Sequence, residues 1–525
     1  MNNFQYKIPP FAHQRRLFEA SWDKEYAGLL CEQRTGKSAI VLYTAAQLHK
    51  IGRINSLLLI APNGVHRNWI ADEIKIHLPD WVQRTTAVWS AAQTKKKEAE
   101  LESLFAVGHQ LRILAMNIEA IGTKRGFDFA RRFLNATDCM MVVDESTRIK
   151  SPTAGVTKAA MKLAKHAKYR RILNGTPVTQ APFDVWSQLL FLHEDAVPIQ
   201  SYIAFKARYA EMADGTNWLA QAIVKKQLKK FGKYDLLNKL EIGELDFDDK
   251  IFQRFMPKDI VCTDSEGNKQ YKNLEELKQW VDKCCYRVTR KECADMPEKL
   301  YKRWEVELAP HQEKLVKQYI AAMKKGETPE PINKMVAVML YQRMICGIVP
   351  KQLTGEAQHT KIFSKPEDNP RLQAIVEIVE AYPEASIIFW ARFKTDLHEI
   401  SKLIEQTTKK PVGRYWGDIS NDDREEAKTA FQQKRIQYFV GQQGAGGVGL
   451  PLHAADVMVY HSNTFSLYHR LQSEDRAENM QKTTGTLIID IETKGTVDSK
   501  IIDALRNKRD VADLITGDET GEWLA

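Results

Sequence analysis

No stretch of this 525-residue chain is apolar for long enough to span a bilayer, and the N-terminal residues Met1 to Lys7 lack the basic-then-apolar order of a secretory signal. No membrane partner is expected. The seven cysteines form no Cys-x-x-Cys pair, so neither structural zinc nor a disulfide framework is expected. A reduced, cytosolic setting is the plain reading. Charge is not one-sided: 76 basic and 67 acidic residues leave a net +9, which suits a polyanionic partner without demanding one. There is no internal repeat of short period. What is present is an ordinary globular composition, 43% hydrophobic and 27% charged, in a length that argues for two or more domains with their own cores.

The segment Cys31 to Ser38 carries the most chemistry. Gly36-Lys37-Ser38 stands between an apolar run, Ala27–Leu30, and a second one, Ala39–Leu48. Strand, loop and helix in that order aim backbone N–H groups at an anion, with Lys37 reaching outer phosphates and Ser38 holding Mg²⁺. The strict pattern has glycine where Cys31 stands, so the motif needs support from elsewhere. Support comes at Asp144-Glu145, directly after the apolar run Cys139–Val143. A carboxylate at a strand's end can hold Mg²⁺ through its water shell, and its neighbour can polarise the water that attacks a γ-phosphate.

Short apolar runs alternate with amphipathic segments from Leu57 to Leu192, the pattern of a parallel sheet covered by helices. The strand candidates are Leu57–Ala61, Ile113–Met116, Met140–Val143 and Arg171–Leu173. Beyond Pro198 the chain turns helical and rich in lysine and aromatics, among them Lys225, Lys226, Lys229 and Lys230, with a turn-rich break at Thr263–Asn268. After Asn369-Pro370 the βα texture returns, with strands at Ala385–Trp390, Tyr438–Val440 and Val457–Tyr460. The expected organisation is an N-terminal nucleotide-binding lobe over 1–197, a mainly helical insertion over 198–365, and a C-terminal α/β lobe over 366–525.

Taken in order, the motifs resemble the Swi/Snf-like branch of superfamily 2 helicase-fold ATPases, over about Phe11 to Arg506. Pro10-Phe11-Ala12-His13-Gln14 is similar to the adenine-recognising segment, with Gln14 on the base edge. Ala61-Pro62 followed by Trp69 is similar to the first DNA-backbone-contacting motif, and Asp144 to Lys150 to the Asp-Glu-x-His box. Asn174-Gly175-Thr176-Pro177 resembles the coupling motif, and the following Trp186-Ser187-Gln188-Leu189-Leu190 is characteristic of this branch. Later, Arg287 to Lys291 with Met296 to Lys299 resembles the entry to the second lobe, and Arg343 to Cys346 its next helix. Gly413–Asp418 with Arg424 and Phe431 resembles the strand and helix before motif five, Gly444 to Gly449, and Gln472 to Ala477 resembles motif six.

The resemblance implies an α/β fold of two RecA-like parallel-sheet lobes with a helical insertion between them. It implies an ATP- and Mg²⁺-dependent translocase that moves along or remodels duplex DNA. Catalysis would fall to Lys37, Asp144, Glu145, Gln472 and Arg476, and ATP binding to Gln14, Arg34, Thr35, Gly36, Lys37 and Ser38. The metal would rest on Ser38 and, through water, Asp144. Sequence-independent backbone contacts would come from near Asn63, Asn117, Thr176 and Gln443, and coupling from Gly175, Thr176, Pro177, Gly447 and Gly449. The Lys225–Lys230 group is a candidate duplex contact, its alternative being a solvated helical face. The layout is similar to compact phage and bacterial members, a bare motor without accessory domains, which implies the cytoplasm of a bacterial or phage-infected cell or another intracellular setting.

Three departures qualify the resemblance. Asn479 stands where the branch has a second arginine, and an amide cannot supply that charge. Hydrolysis is then slower, or Arg470 substitutes, or an activating protein partner is needed. Thr147 replaces the usual histidine of the box, and Gly444 stands where motif five often has arginine. Two other functions therefore stay open at this level. One is a strand-separating DNA or RNA helicase, which needs a wedge, and the other is a nucleic-acid-binding regulatory module with a weakened ATPase site.

Overall fold

Apolar runs too short for buried helices become the strands of two parallel sheets. In the computed structural model the described residues are 4–33, 35–91, 94–213, 218–242, 260–262, 269–289, 292–293, 299–325, 327, 334–355, 358–444, 452–477 and 485–516. The first sheet comprises β1 (Tyr26–Leu29), β2 (Ser56–Ala61), β3 (Arg84–Val88), β4 (Leu111–Asn117), β5 (Cys139–Asp144), β6 (Tyr169–Leu173) and β7 (Cys285–Tyr286), in the order β3-β4-β2-β5-β6-β1-β7. All its pairings are parallel. Every residue of β2 is buried. Leu58 and Ile60 join the core on one face with Leu114 and Met141, while Leu57 and Leu59 join the other with Ile113 and Met140. This is the period-2 division of a sheet covered by helices on both sides.

Eight further strands are described, three of them within 198–365 and five in the second lobe. They are β8 (Leu300–Val306), β9 (Ile348–Val349), β10 (Thr360–Lys361), β11 (Ile387–Trp390), β12 (Val412–Tyr415), β13 (Tyr438–Gly441), β14 (Val457–Tyr460) and β15 (Leu487–Thr493). The second sheet runs β12-β13-β11-β14-β15-β8, and β9 and β10 form an antiparallel pair apart from it. Two parallel-sheet α/β lobes are thus present, as the alternating texture implies.

The range 198–365 is not purely helical. Its β7 pairs with Gly28 and Leu29 of the first sheet, and its β8 pairs with all of β15 in the second. Strand β8 escapes a hydrophobicity reading because Lys302, Arg303 and Glu305 interrupt it on an edge. Strand β15 escapes because it carries Asp490 and Glu492, both buried against arginines: Asp490 with Arg470 and Glu492 with Arg303. The helix Leu274–Cys284 puts Leu277, Val281 and Cys284 into the first lobe's core. By contrast the helices Trp218–Lys230 and Tyr234–Ile242 pack on each other through Val224, Leu228, Leu237 and Leu240. Among the described residues no helix is long and apolar enough to cross a membrane.

Candidate active site

Strand β1 ends at Leu29, and the chain then turns into the helix Lys37–Lys50 through Gly36, whose φ is +82°. A Cβ at Gly36 would lie 2.0 Å from Gln14 Nε2. That closeness joins the adenine segment to the loop: Gln14 Nε2 donates to the Thr35 carbonyl at 3.2 Å while Gln14 Oε1 accepts from the Phe11 N–H at 3.1 Å. His13 Nε2 lies 2.8 Å from the same Thr35 carbonyl, and the exposed Phe11 ring stacks on the His13 imidazole. Gly36→Ala is expected to cost about 1–2 kcal/mol from the left-handed backbone alone and to push Gln14 aside. A weaker affinity for adenine nucleotides than for other triphosphates, measured by competition, is the outcome that checks it.

Lys37 folds back over its own loop, Nζ donating to the Cys31 and Glu32 carbonyls at 2.8 and 3.0 Å. Burial lowers its pKa. Ser38 is hydrogen-bonded to Glu73, whose carboxyl is pushed up chiefly by burial. Cys31 fits where glycine is usual because its side chain turns inward, Sγ lying 3.6 Å from the Tyr286 carbonyl. Burial raises that thiol to about 11, so it stays neutral.

Strand β5 delivers the acidic pair, and Glu145 leaves it in a left-handed conformation with φ 51°. Asp144 Oδ2 accepts from Trp69 Nε1 at 3.0 Å and Oδ1 from the Glu145 N–H at 2.9 Å. Glu145 Oε1 accepts from Gln33 Nε2 at 3.0 Å, while Oε2 has no hydrogen-bond partner among the described residues. Burial, then the Asp144 charge, raises the Glu145 pKa to about 7, against the pull of Lys37. A buried carboxylate with one unsatisfied oxygen and a pKa near neutrality is suited to taking a proton from water. Ser38 and Asp144 offer the hard oxygen donors that Mg²⁺ takes.

A hydrogen-bonded chain links this pair to the segment after β6. Asn174 Nδ2 donates to Ser146 Oγ at 3.2 Å, and Gln188 Nε2 donates to the Pro177 carbonyl at 2.8 Å. Ser146 Oγ in turn donates to Gln188 Oε1 at 2.5 Å, and the Thr176 N–H to Asn174 Oδ1 at 2.8 Å. Arg287 adds a donor to the Gly175 carbonyl at 3.0 Å. The link therefore runs through Ser146, so Thr147 in place of histidine leaves this connection standing.

The helix Leu467–Glu474 of the second lobe faces the pair. Tyr468 holds Gln472 Nε2 through its hydroxyl, and the Arg148 guanidinium lies 6.0 Å from its ring centroid. The Glu145 charge helps raise the Tyr468 pKa, and the Asp475 charge helps raise that of Glu145. Arg476 is buried, 5.2 Å from the Trp390 ring, with Nη2 donating to the Gln443 carbonyl at 3.3 Å. Arg470 is engaged inside the second lobe. Its guanidinium is 1% exposed, donates from Nε to Glu474 at 2.6 Å and from Nη2 to Asp490 at 2.9 Å, and lies over the Tyr460 ring. Arg34, Gly447, Gly449 and Asn479 lie outside the described residues, as do Arg290, Lys291 and 294–298.

Asn63, Asn117 and Thr176 follow or end β2, β4 and β6, on the same carboxyl edge as Lys37 and Asp144, where open α/β sheets bind ligands. Asn63 is exposed and Thr176 half-buried, while Asn117 Nδ2 donates to Glu119 at 3.1 Å. Gln443 differs: its side chain is buried and turned to Asn463, so it offers no surface contact. Sequence reasoning missed Gln33, Glu73 and Tyr468. Glu73 had a signal, since it stands four residues after Trp69 on one helical face; Gln33 and Tyr468 had none.

Residues 19–347 match the SNF2-related domain and residues 370–481 the helicase conserved C-terminal domain. The putative ATP-dependent helicase/translocase YwqA of Bacillus subtilis is 23% identical over 49% of this chain and 28% of its own length. The ATP-dependent helicase FUN30 of Saccharomyces cerevisiae is 21% identical over 93% of this chain and 44% of its own. The chain thus spans less than half the length of either relative. A solved structure of the Sulfolobus solfataricus SWI2/SNF2 ATPase core in complex with dsDNA aligns over 98% of this chain and 95% of that one, at 18% identity and a TM-score of 0.39. With the first match alone extending over more than half of its residues, the chain belongs to the SNF2-related family.

Proposed function

We propose that this chain is an ATP-driven motor that tracks the backbone of duplex DNA without reading its sequence. The observation that carries the reading is the shared carboxyl edge of the first sheet. It presents the Lys37–Ser38 loop, the Asp144–Glu145 pair and the polar residues Asn63, Asn117 and Thr176 side by side, with the helix Leu467–Glu474 opposite. In this reading Gln14 recognises adenine and Lys37 leaves the Cys31 and Glu32 carbonyls to meet phosphate oxygens. Glu145 orients the attacking water and accepts its proton, held in place by Gln33. Mg²⁺, when bound on Ser38 and the Asp144 water shell, supplies the charge that neutralises the phosphates. Arg476 serves the γ-phosphate once the lobes close further, and the Ser146–Asn174–Gln188 chain passes the change to the DNA-facing segment.

Steady-state ATP hydrolysis with no nucleic acid, duplex DNA, single-stranded DNA and RNA tests this. Strong stimulation by duplex, lost in Lys37→Ala, is expected. Stimulation by single strands together with strand displacement would instead mark a strand-separating helicase, and a flat, substitution-insensitive rate a regulatory module.

The lysines of the helical hairpin give a second check. With Val224 and Leu228 turned inward, Lys226, Lys229 and Lys230 are exposed. Replacing these three and Lys225 by alanine is expected to weaken duplex binding equally across sequences. The slope of log affinity against log salt should become shallower by about 0.9 for each lost phosphate contact. An unchanged slope would assign them to a solvated face.

A further inference from the structure

Three side chains of the second half of the chain meet away from the nucleotide site and leave several of their polar atoms unpartnered among the described residues. Cys346 follows the helix Lys334–Ile345, Asp396 lies in the first turn of the helix Lys394–Thr408, and His461 follows the carboxyl end of β14. One potential ligand atom from each lies within 4.8 Å of the others. The three residues are 5%, 4% and 1% exposed. Among the described residues, Asp396 Oδ2 and both ring nitrogens of His461 have no hydrogen-bond partner. Oδ2 stands 3.6 Å from His461 Nδ1, beyond hydrogen-bonding distance. The Cys346 thiol does reach the Asp396 carboxyl, which still leaves two nitrogens and an oxygen dry. Buried polar atoms are seldom left so in native folds.

A protonated imidazole paired with Asp396 is the simplest alternative, and the surroundings oppose it. The buried Arg371 guanidinium donates to the His461 carbonyl and so already sets a positive charge beside the ring. Arg371 itself is paired with Asp498, and Arg343 and Glu399 act on Asp396 with opposite sign. A divalent cation answers the geometry better. Nitrogen and oxygen ligands about 2.0–2.2 Å from a tetrahedral zinc stand about 3.4 Å apart, close to the separation here. Sulfur, nitrogen and carboxylate oxygen together are donors that zinc accepts. All three residues also line one cleft, with Gly347, Phe363 and Glu399, so a fourth position can open towards solvent.

We propose that Cys346 Sγ, the Asp396 carboxylate and His461 Nδ1 bind one zinc ion, with water from the cleft as fourth ligand. Binding releases the Cys346 proton as the Zn–S bond forms. The ion fastens the helix before β9, the helix after β11 and the end of β14 to one another. Cysteine-pair spacing could not disclose such a site, because its donors are of three kinds and come from three distant segments.

The test uses the untagged full chain, dialysed against zinc and then against buffer. Metal analysis should give about one zinc per chain, and zinc-edge X-ray absorption should show a single sulfur among nitrogen and oxygen scatterers. Cobalt in place of zinc should give a thiolate-to-metal charge-transfer band. That band should vanish in Cys346→Ser and persist in Lys37→Ala. Zinc-free protein after dialysis, two or more sulfur scatterers, or a charge-transfer band retained in Cys346→Ser would overturn the proposal. The absorption measurement on the unsubstituted protein decides the matter even if Cys346→Ser does not fold.

Discussion

Glu145→Gln lowers duplex-stimulated ATP hydrolysis by about 10²–10⁴-fold while leaving nucleotide binding close to that of the parent protein. The amide keeps an acceptor for Gln33 Nε2, so the side chain stays positioned, but it cannot take a proton from water. The active form is the carboxylate, and burial holds its pKa at about 7. kcat/KM of the parent protein should therefore fall as pH drops through about 7, and the residual rate of Glu145→Gln should lack that limb. Stability changes in the opposite sense. A carboxyl whose folded pKa of about 7 exceeds its ordinary 4.5 binds more protons folded than unfolded. Its contribution is intact below the unfolded value and is lost as pH rises through the folded one. Glu145→Gln removes this loss, so at pH 8 the first lobe should gain on the order of 3 kcal/mol, and at pH 4.5 nothing. Thermal melts at the two pH values, set beside the rate profile, separate a buried base from a residue that only braces the loop. A variant equally slow but no more stable at pH 8 would point to bracing.

The first sheet was legible because its central strands are buried on both faces and read as uninterrupted apolar runs: Ser56–Ala61 and Cys139–Asp144 match their expected positions to within a residue or two. Strand β5 ends at the acidic pair, and β1, whose apolar residues Ala27–Leu29 also read as a buried run, ends at the nucleotide loop, so these parts of the candidate site were legible with the strands. Strands β8 and β15 were not, because charged residues interrupt both. A sequence does not display in advance that Arg303 and Arg470 will neutralise Glu492 and Asp490. The same blindness affects Gln443 and Arg470, which read as surface polar residues and are interior ones. Tyr468 becomes informative only once two separately folded sheets place the helix Leu467–Glu474 opposite Asp144 and Glu145.

Arg470→Ala should destabilise the second lobe by about 3–5 kcal/mol, the cost of stripping one partner from a buried charge cluster. Asp490 loses the guanidinium that neutralises it, and Glu474 loses its closest arginine while keeping Lys299, at 3.2 Å, and the Tyr301 hydroxyl, at 2.9 Å. Arg470→Lys should recover little, since an ammonium cannot reach Asp490 and Glu474 together or lie flat over Tyr460. ATPase activity will fall in all these variants, as it would if Arg470 touched ATP, so a further variant must separate the two causes. Arg470→Met combined with Asp490→Asn removes both charges and keeps an acceptor for Asn463 Nδ2, which donates to Asp490 at 2.7 Å. If Arg470 acts only through the fold, the double variant regains about 1–3 kcal/mol through the pair's coupling, and its hydrolysis rises with stability. A double variant that melts like the parent protein yet hydrolyses no faster than Arg470→Ala would return Arg470 to the nucleotide, against the burial of its guanidinium. In the expected case the charge that the resemblance assigns to the position of Asn479 would fall to Arg476 or to a protein that docks beside it. Comparing hydrolysis by Arg476→Lys and Arg476→Ala at saturating DNA then measures how much of the rate one arginine carries.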